Sequence, residues 1–269
     1  MKLLLLCGDQ PRHLYLVSEV ARRFTGTSVI FMRRESMSPE PPLSITVRDS
    51  KLFKTHFENR REAESAAFGT VSTSKIGELI PTHAVSPDSL NSQLVVDLID
   101  RHQPDVCLVF GTDLIKSPVI DVLPALTFNV HLGLSPWYRG SATLFWPFYF
   151  MEPQCAGVTV HQLIREVDAG NIVFQCVPML SREQGIHQVA CEAVKTVIPK
   201  LIQMLEIIES GKVLHMNSQK STGRLFRTRD FRPEHLRVNY EIFDDRMTAS
   251  WLDGDLGGSI PHLAHLSDE

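Results

Sequence analysis

The chain has 269 residues, enough for one larger α/β domain with an appendage or for two small domains. It carries 27 Lys and Arg against 31 Asp and Glu, and this net charge of -4 does not favour nucleic acid or an acidic membrane as a partner. Its five scattered cysteines include no Cys-x-x-Cys pair, which is typical of reduced core residues.

The start of the chain predicts a buried strand at residues 3–7 that ends at Gly8. This apolar run is shorter than the roughly 7–15 residues of a secretory signal core. No apolar run in the sequence approaches the roughly 20 residues that a membrane helix requires. We therefore expect a cytoplasmic protein without a membrane partner.

Further along the chain, apolar runs that predict strands alternate with segments of helical periodicity. Strands are predicted at residues 3–7, 28–32, 105–110, 125–131, 157–163 and 172–179, and helices at 13–24, 50–67, 91–102, 142–151 and 184–210. Residues 33–42 are predicted to form a loop, and the pattern gives no role to residues 33–90 as a whole. This alternation favours an α/β, Rossmann-like fold, in which a mainly parallel sheet has helices on both faces.

A change of composition near Gly211 divides the chain. Residues after this glycine are polar and rich in arginine, and the chain then ends in an acidic tail. We predict a catalytic domain at residues 1–210 and a small C-terminal extension at 211–269.

The sequence lacks the common signatures of dinucleotide and metal sites. Gly8 follows the first strand, but the second and third glycines of a dinucleotide fingerprint are absent. Patterns such as His-Glu-x-x-His, a Walker motif or a zinc ribbon are also absent. We therefore predict neither a nicotinamide cofactor nor a metal.

Asn129 and His131 are two residues apart near the end of a predicted buried strand, so their side chains point the same way. Alone, this pair is most simply explained as two hydrogen-bonded core residues. Asp168 follows the next predicted strand and is expected at the same carboxyl edge of the sheet, where ligands bind. Together the three predict a catalytic site. Asn129 would stabilise an oxyanion, His131 would carry a proton, and Asp168 would stabilise the imidazolium.

Three segments within residues 94–180 resemble the folate-dependent formyltransferases: Asn129-Val130-His131, Ser135-Pro136-x-x-Arg139-Gly140 and Asp168-x-Gly170. Ser135 and Asn171 depart from the more usual leucine and aspartate of that family. The resemblance implies 10-formyltetrahydrofolate as co-substrate. It also implies that two segments cradle the pterin, with contacts from Phe110, Gly111, Leu114, Ile115, Leu163, Val167 and Asp168.

The acceptor amine is predicted from the extension. Its eight Lys and Arg against nine Asp and Glu give a net charge of -1, which weakens the case for tRNA. Residues 223–236 resemble the corresponding region of bacterial sugar N-formyltransferases. We therefore predict transfer to the amine of a nucleotide-linked amino sugar. A methionyl-tRNA formyltransferase and a folate-binding module without turnover remain the alternatives.

Candidate acceptor contacts come from both parts of the chain. An arginine cluster in the extension either holds a nucleotide diphosphate or forms a solvated basic face. His161 is interpreted as structural, as a substrate contact or as a rival base. The aromatic side chains of residues 137–150 either stack on a base or sugar of the substrate, or belong to the core or to a dimer interface. A homodimer is therefore one possible state of the chain. The predicted contacts are Arg139, His161, Arg224, Arg227 and Arg229.

Overall fold

A seven-stranded sheet forms the centre of the computed structural model, which describes residues 1–34, 39–69, 71–219 and 223–268. Residues 35–38 of the predicted loop at 33–42 therefore lie outside the described residues. The strands are β1 Leu3–Gly8, β2 Thr27–Met32, β3 Thr82–Val85, β4 Val106–Phe110, β5 Leu126–His131, β6 Tyr138–Gly140, β7 Val158–Gln162, β8 Ile172–Cys176 and β9 Arg224–Phe226.

The central sheet has the strand order β3-β2-β1-β4-β5-β7-β8. The five strands from β3 to β5 are parallel, whereas β7 is antiparallel to both β5 and β8. This arrangement confirms the predicted mainly parallel sheet.

Helices of very different length cover the sheet. They are α1 Pro11–Arg23, α2 Val47–Phe68, α3 Thr73–Gly77, α4 Gln93–His102, α5 Val119–Val122, α6 Trp146–Tyr149, α7 Ile186–Glu209 and α8 Met247–Leu252. Short turns of 3₁₀-helix lie at Pro87–Ser89, Pro153–Cys155, Thr228–Asp230 and Pro233–His235, and a π-helical turn at Val238–Ile242. No helix of the described residues is long and apolar enough to cross a membrane.

Strand β1 is buried on both faces because its side chains alternate between two apolar clusters. Leu3 and Leu5 pack in a cluster with residues of α1 and α7. Leu4 and Leu6 pack on the opposite face in a cluster with residues of α4. Helices thus cover both faces, as the alternation of strands and helices predicts.

The aromatic helix is shorter than the predicted span of 142–151. Ala142 and Met151 both have a positive φ, of 56° and 59°, which is incompatible with a continuous right-handed helix. Pro147 lies in the first turn of α6, where its missing backbone N–H costs no helical hydrogen bond. The aromatic segment therefore folds as one helical turn between irregular stretches.

The C-terminal segment returns to the central sheet. Strand β9 pairs in parallel with β6, and Asn217 forms a bridge with Ile172 at the start of β8. Phe226 of β9 stacks on Trp146 with ring centroids 4.4 Å apart. The residues after 211 therefore pack along the region that contains the predicted site.

Candidate active site

Two neighbouring antiparallel strands bring three polar side chains to one face of the sheet. Asn129 and His131 are two residues apart on β5, as predicted. On β7, His161 lies directly opposite Asn129 in the antiparallel register. Residues that are opposite each other in such a ladder share a face, which explains why His161 joins the predicted pair.

The loop between β7 and β8 carries Asp168 towards these side chains. Asp168 has a φ of 47°, in the left-handed region that aspartate tolerates better than most residues. Gly170 lies against the backbone of Gln162, where an added Cβ would be 1.9 Å from the carbonyl oxygen. The Asp-x-Gly sequence thus allows the tight course of the loop that places the carboxylate.

Both oxygens of the Asp168 carboxylate lie among the predicted catalytic groups. Oδ1 accepts a hydrogen bond from Asn129 Nδ2 at 3.1 Å and lies 3.4 Å from His161 Nε2. Oδ2 accepts one from the backbone N–H of Gly140 at 2.7 Å and lies 3.4 Å from His131 Nδ1. The structure therefore brings Asn129, His131 and Asp168 together, with His161 as a fourth member.

Electrostatics in this cluster favour an ionised aspartate beside a neutral histidine. Burial raises the pKa of Asp168, but the positive charge that the two neighbouring histidines carry when protonated, together with the N–H of Gly140, holds that pKa well below its usual value. Burial lowers the pKa of His131, and the opposing effect of Asp168 offsets this only in part. At neutral pH the site therefore holds a carboxylate next to an uncharged imidazole.

Hydrogen bonds to backbone carbonyls define the tautomers of both histidines. His131 Nε2 donates to the carbonyl oxygen of Tyr138 at 2.7 Å, so Nδ1 is left as the proton acceptor that faces Asp168. His161 Nδ1 donates to the carbonyl oxygen of Gln162 at 2.9 Å, so its Nε2 accepts from Asn129 Nδ2 at 3.3 Å. A proton gained by His131 is therefore stabilised directly by the carboxylate.

A cavity of about 920 Å³ opens beside this cluster; we refer to it as the catalytic cavity. Asn129, His131 and His161 line it. All the residues predicted to contact folate also line it, namely Phe110, Gly111, Leu114, Ile115, Leu163, Val167 and Asp168. The two segments predicted to cradle the pterin are thus walls of one space.

The predicted acceptor arginines are dispersed. Arg227 lines the catalytic cavity, whereas Arg229 is exposed on a 3₁₀ turn. The guanidinium of Arg224 lies over the ring of Phe150, 4.5 Å from its centroid. The Nε atom of Arg139 is buried without a hydrogen-bond partner in the described part of the chain. Of these four arginines, Arg227 has the position of a ligand contact in this cavity.

His13 is a further residue of the catalytic cavity that the sequence pattern does not single out. Its Nδ1 accepts the backbone N–H of Gln10 at 3.3 Å, so the proton of the neutral ring is on Nε2. This Nε2 is buried and has no hydrogen-bond partner among the described residues. Gly8 and Gly111 make room for the ring, because an added Cβ on Gly111 would lie 2.1 Å from Nε2.

Gln219 of the extension also contributes to the site. Its Nε2 donates to the carbonyl oxygens of Asp168 and Gly170, at 2.9 and 2.8 Å.

The described residues contain no group of three or more His, Cys, Asp or Glu arranged to hold a metal ion.

A comparison with known protein families agrees with the geometry of this site. A family model described as formyl transferase matches residues 53–196, more than half of the chain.

Solved structures with related folds include a phosphoribosylglycinamide formyltransferase from Anaplasma phagocytophilum, with a TM-score of 0.56 and 15% identity over 84% of this chain and 98% of that one. A sugar N-formyltransferase from a Shewanella species has a TM-score of 0.56 and 14% identity, over 86% of this chain and 78% of that one. An N-formyltransferase from Helicobacter canadensis, in complex with folinic acid and dTDP-3-aminofucose, has a TM-score of 0.50 and 15% identity, over 86% and 72%. At these identities the similarity concerns the fold.

Proposed function

The chain belongs to the formyl transferase family, and we propose that it moves a formyl group from 10-formyltetrahydrofolate to the amine of a nucleotide-linked amino sugar. The observation that carries this proposal is the Asp168 carboxylate, which is held between Asn129, Gly140 and two histidines at the wall of the catalytic cavity. The predicted resemblance to this family is confirmed by the family match.

The walls of the catalytic cavity fit a folate as formyl donor. Both pterin-contacting segments implied by the resemblance lie on one cavity, and its volume of about 920 Å³ is in the range of drug-sized ligand sites. Gly111 has a φ of 71° and keeps the backbone free of a Cβ at this wall. The buried Nε2–H of His13 offers a hydrogen-bond donor to a ligand in the same space.

The reaction requires an uncharged amine to attack the formyl carbon, which forms a carbon–nitrogen bond and converts the formyl oxygen to an oxyanion. Asn129 Nδ2 is the donor for this oxyanion. Its contact with His161 is the longer of its two hydrogen bonds, 3.3 Å against 3.1 Å, and is the one that the oxyanion replaces.

His131 and Asp168 together carry out the proton transfer. The neutral imidazole takes up the proton that the attacking nitrogen loses, and the carboxylate beside Nδ1 stabilises the resulting imidazolium. The proton then goes to the folate nitrogen, whose bond to the formyl carbon breaks as the carbonyl re-forms.

An amino-sugar nucleotide as acceptor is supported by charge and by the position of one arginine. The extension carries a net charge of -1, so it offers little long-range attraction to tRNA phosphates. Arg227 of the extension lines the catalytic cavity, where its guanidinium suits a phosphate of the acceptor. The structure from Helicobacter canadensis contains folinic acid together with a nucleotide-linked amino sugar.

Formation of tetrahydrofolate from 10-formyltetrahydrofolate tests the proposal. The acceptors are a panel of UDP- and dTDP-linked amino sugars, the same amino sugars without nucleotide, and methionyl-tRNA. We expect turnover with at least one nucleotide-linked sugar and far slower turnover with its free form, because the nucleotide holds the amine in place. Formylation of methionyl-tRNA alone would identify the tRNA-directed alternative. Folate binding without turnover on any acceptor would identify a binding module.

A further inference from the structure

A second cavity, of about 300 Å³, adjoins the catalytic cavity. We refer to it as the aromatic cavity. The two share the lining residues Arg12, Leu132 and Thr143, and Leu132 directly follows the catalytic His131. The remaining walls come from side chains of α2, of α7, of residues 142–145 and of Phe231 in the extension. A ligand that occupies both cavities therefore passes Arg12 and the catalytic strand end.

Four phenylalanines give the aromatic cavity flat apolar surfaces, namely Phe57, Phe68, Phe145 and Phe231. Phe145 and Phe231 pack edge to face with centroids 4.8 Å apart. The guanidinium of Arg60 lies 5.3 Å from the centroid of Phe57 and restrains that ring. Restrained aromatic faces favour a planar ring as ligand, because a ring stacks on them without leaving voids.

Polar groups on the walls indicate that this ring carries heteroatoms. His56 and His187 line the cavity and are joined through the hydroxyl of Tyr240, at 2.9 Å from His56 Nδ1 and 3.2 Å from His187 Nε2. Burial lowers the pKa of both histidines, to about 3 for His187, so both are neutral. These histidines make the wall locally polar, which suits a ring with nitrogens and carbonyl groups better than a hydrocarbon chain.

The junction of the two cavities carries excess positive charge. Glu64 accepts a hydrogen bond from Arg12 at 2.5 Å and lies 3.4 Å from Arg60 Nε. One carboxylate thus faces two guanidinium groups, which leaves one positive charge beside the shared wall. This charge complements an anionic link between a ring in the aromatic cavity and an amine in the catalytic cavity.

We propose that the aromatic cavity binds the nucleobase of the acceptor, with Arg12 beside the diphosphate and the amino sugar in the catalytic cavity. This inference rests on the proposed function, and it assigns the base to a site that α2 and α7 build outside the catalytic cluster.

Binding of free nucleotides tests the assignment without any transfer reaction. The probes are UDP, dTDP and GDP, titrated calorimetrically into the full chain, with ribose 5-phosphate as a probe that lacks a base. Ala190 is half-buried on α7 and lines the aromatic cavity, so Ala190→Phe places a ring inside it. Gln203→Leu, on an exposed position of the same helix, is the matched control.

We expect at least one nucleotide to bind, and Ala190→Phe to raise its Kd by about tenfold or more because the variant ring occupies the stacking space. Folinic acid should bind Ala190→Phe and the wild type equally, and ribose 5-phosphate should be insensitive to the substitution. Phe57→Leu removes a stacking face instead of filling the cavity. This variant serves as the test of the base site if Ala190→Phe does not fold.

Unchanged nucleotide affinity in a folded cavity variant, or no nucleotide binding by the wild type, would overturn the assignment. Nucleotide binding that depends on Ala190 without formylation of any nucleotide-linked sugar would instead remove the proposed acceptor and leave the base site in place. The two failures are therefore distinguishable.

Discussion

The side-chain amide of Gln219 donates to the backbone carbonyl oxygen of Asp168 across 2.9 Å, and the same nitrogen reaches the carbonyl of Gly170 at 2.8 Å. A residue of the extension thus holds the loop that carries the proposed catalytic carboxylate. Gly140, whose N–H donates to that carboxylate, belongs to β6, which pairs with β9 of the extension. The extension therefore supports the carboxylate from two sides.

Loss of the Gln219 donor should slow catalysis while the fold is retained. We expect Gln219→Ala to lower kcat by about tenfold, since two hydrogen bonds worth roughly 0.5–1.5 kcal/mol each position the loop. Gln219→Glu should be at least as damaging, because a carboxylate repels the two carbonyl oxygens. Steady-state kinetics and thermal unfolding provide the measurements, with Gln203→Ala on an exposed face of α7 as control. Normal kcat in both variants would show that the loop holds its position without Gln219.

Truncation of the triad should abolish most turnover. We expect Asn129→Ala, His131→Ala and Asp168→Ala each to lower kcat by about 10²–10³, the range typical of removing one preorganised donor. Circular dichroism should show retained folding, since each side chain lies at the edge of the sheet. Near-normal rates in any two of these variants would refute the assignment of the site.

The two histidines of the site should differ in their effect. His131 faces Asp168 through a nitrogen free to accept a proton, whereas His161 Nε2 already accepts from Asn129. We therefore expect His161→Ala to reduce kcat much less than His131→Ala. The two variants are compared at saturating folate and acceptor. An inactive His161→Ala beside an active His131→Ala would exchange the roles of the two residues.

The alternation of polar residues on β5 was sufficient to predict the pair Asn129 and His131, because strand geometry alone puts them on one face. Asp168 was predicted near this pair from its position after the next strand, but the structure gives a different reason: β7 is antiparallel to β5, its end pairs with Phe128, and the loop after it carries the carboxylate to Asn129 and His131. Gln219 was not, because it lies 51 residues from Asp168 in sequence and meets the loop only through the tertiary fold. The sequence around His13 does not mark this residue as part of the site. Of the two glycines that lie against its ring, only Gly8 is near it in sequence, and Gly111 follows a different strand.

Parts of the fold escaped prediction for a related reason. Strand β3 is short, and most of its residues are exposed or half-buried, so Thr82–Val85 lacks the apolar run that marks a buried strand. Pairing of β6 with β9 joins two three-residue segments and depends on Gly140, whose added Cβ would lie 2.0 Å from the Phe226 carbonyl oxygen. Such contacts between distant segments have no periodic signature.

Unfolding free energy should fall as the pH drops below the ordinary histidine pKa of 6.5. Burial lowers the pKa of His13, His56, His131 and His187 in the folded chain, so the unfolded chain binds more protons in this range. This contribution to stability is fully present above pH 6.5 and is lost as the pH falls. For His187, whose pKa in the folded chain is about 3, the loss is about 1.4 kcal/mol per pH unit as the pH falls from 6.5 towards 3.

Urea unfolding at pH 5, 6, 7 and 8 measures this dependence. Because the pKa of His187 is lowered to about 3, His187→Gln should reduce the slope between pH 6 and 5 by about one proton. A stability that is constant from pH 8 to pH 5 would contradict the neutral state of these histidines.

Two arginines of the extension, Arg227 and Arg229, provide a matched test of acceptor binding. Arg227 lines the catalytic cavity, whereas Arg229 is exposed two residues away and is not among the residues that line it. We expect Arg227→Ala to raise the KM for the nucleotide-linked acceptor by about tenfold through loss of a charged hydrogen bond to phosphate. Arg229→Ala should stay within about twofold of the wild type, as is usual for surface substitutions.

The KM for 10-formyltetrahydrofolate should be the same in both variants, which separates an acceptor contact from a general disturbance of the cavity. If both arginines raise the acceptor KM equally, the basic face attracts the nucleotide as a whole, and the specific contact through Arg227 is refuted.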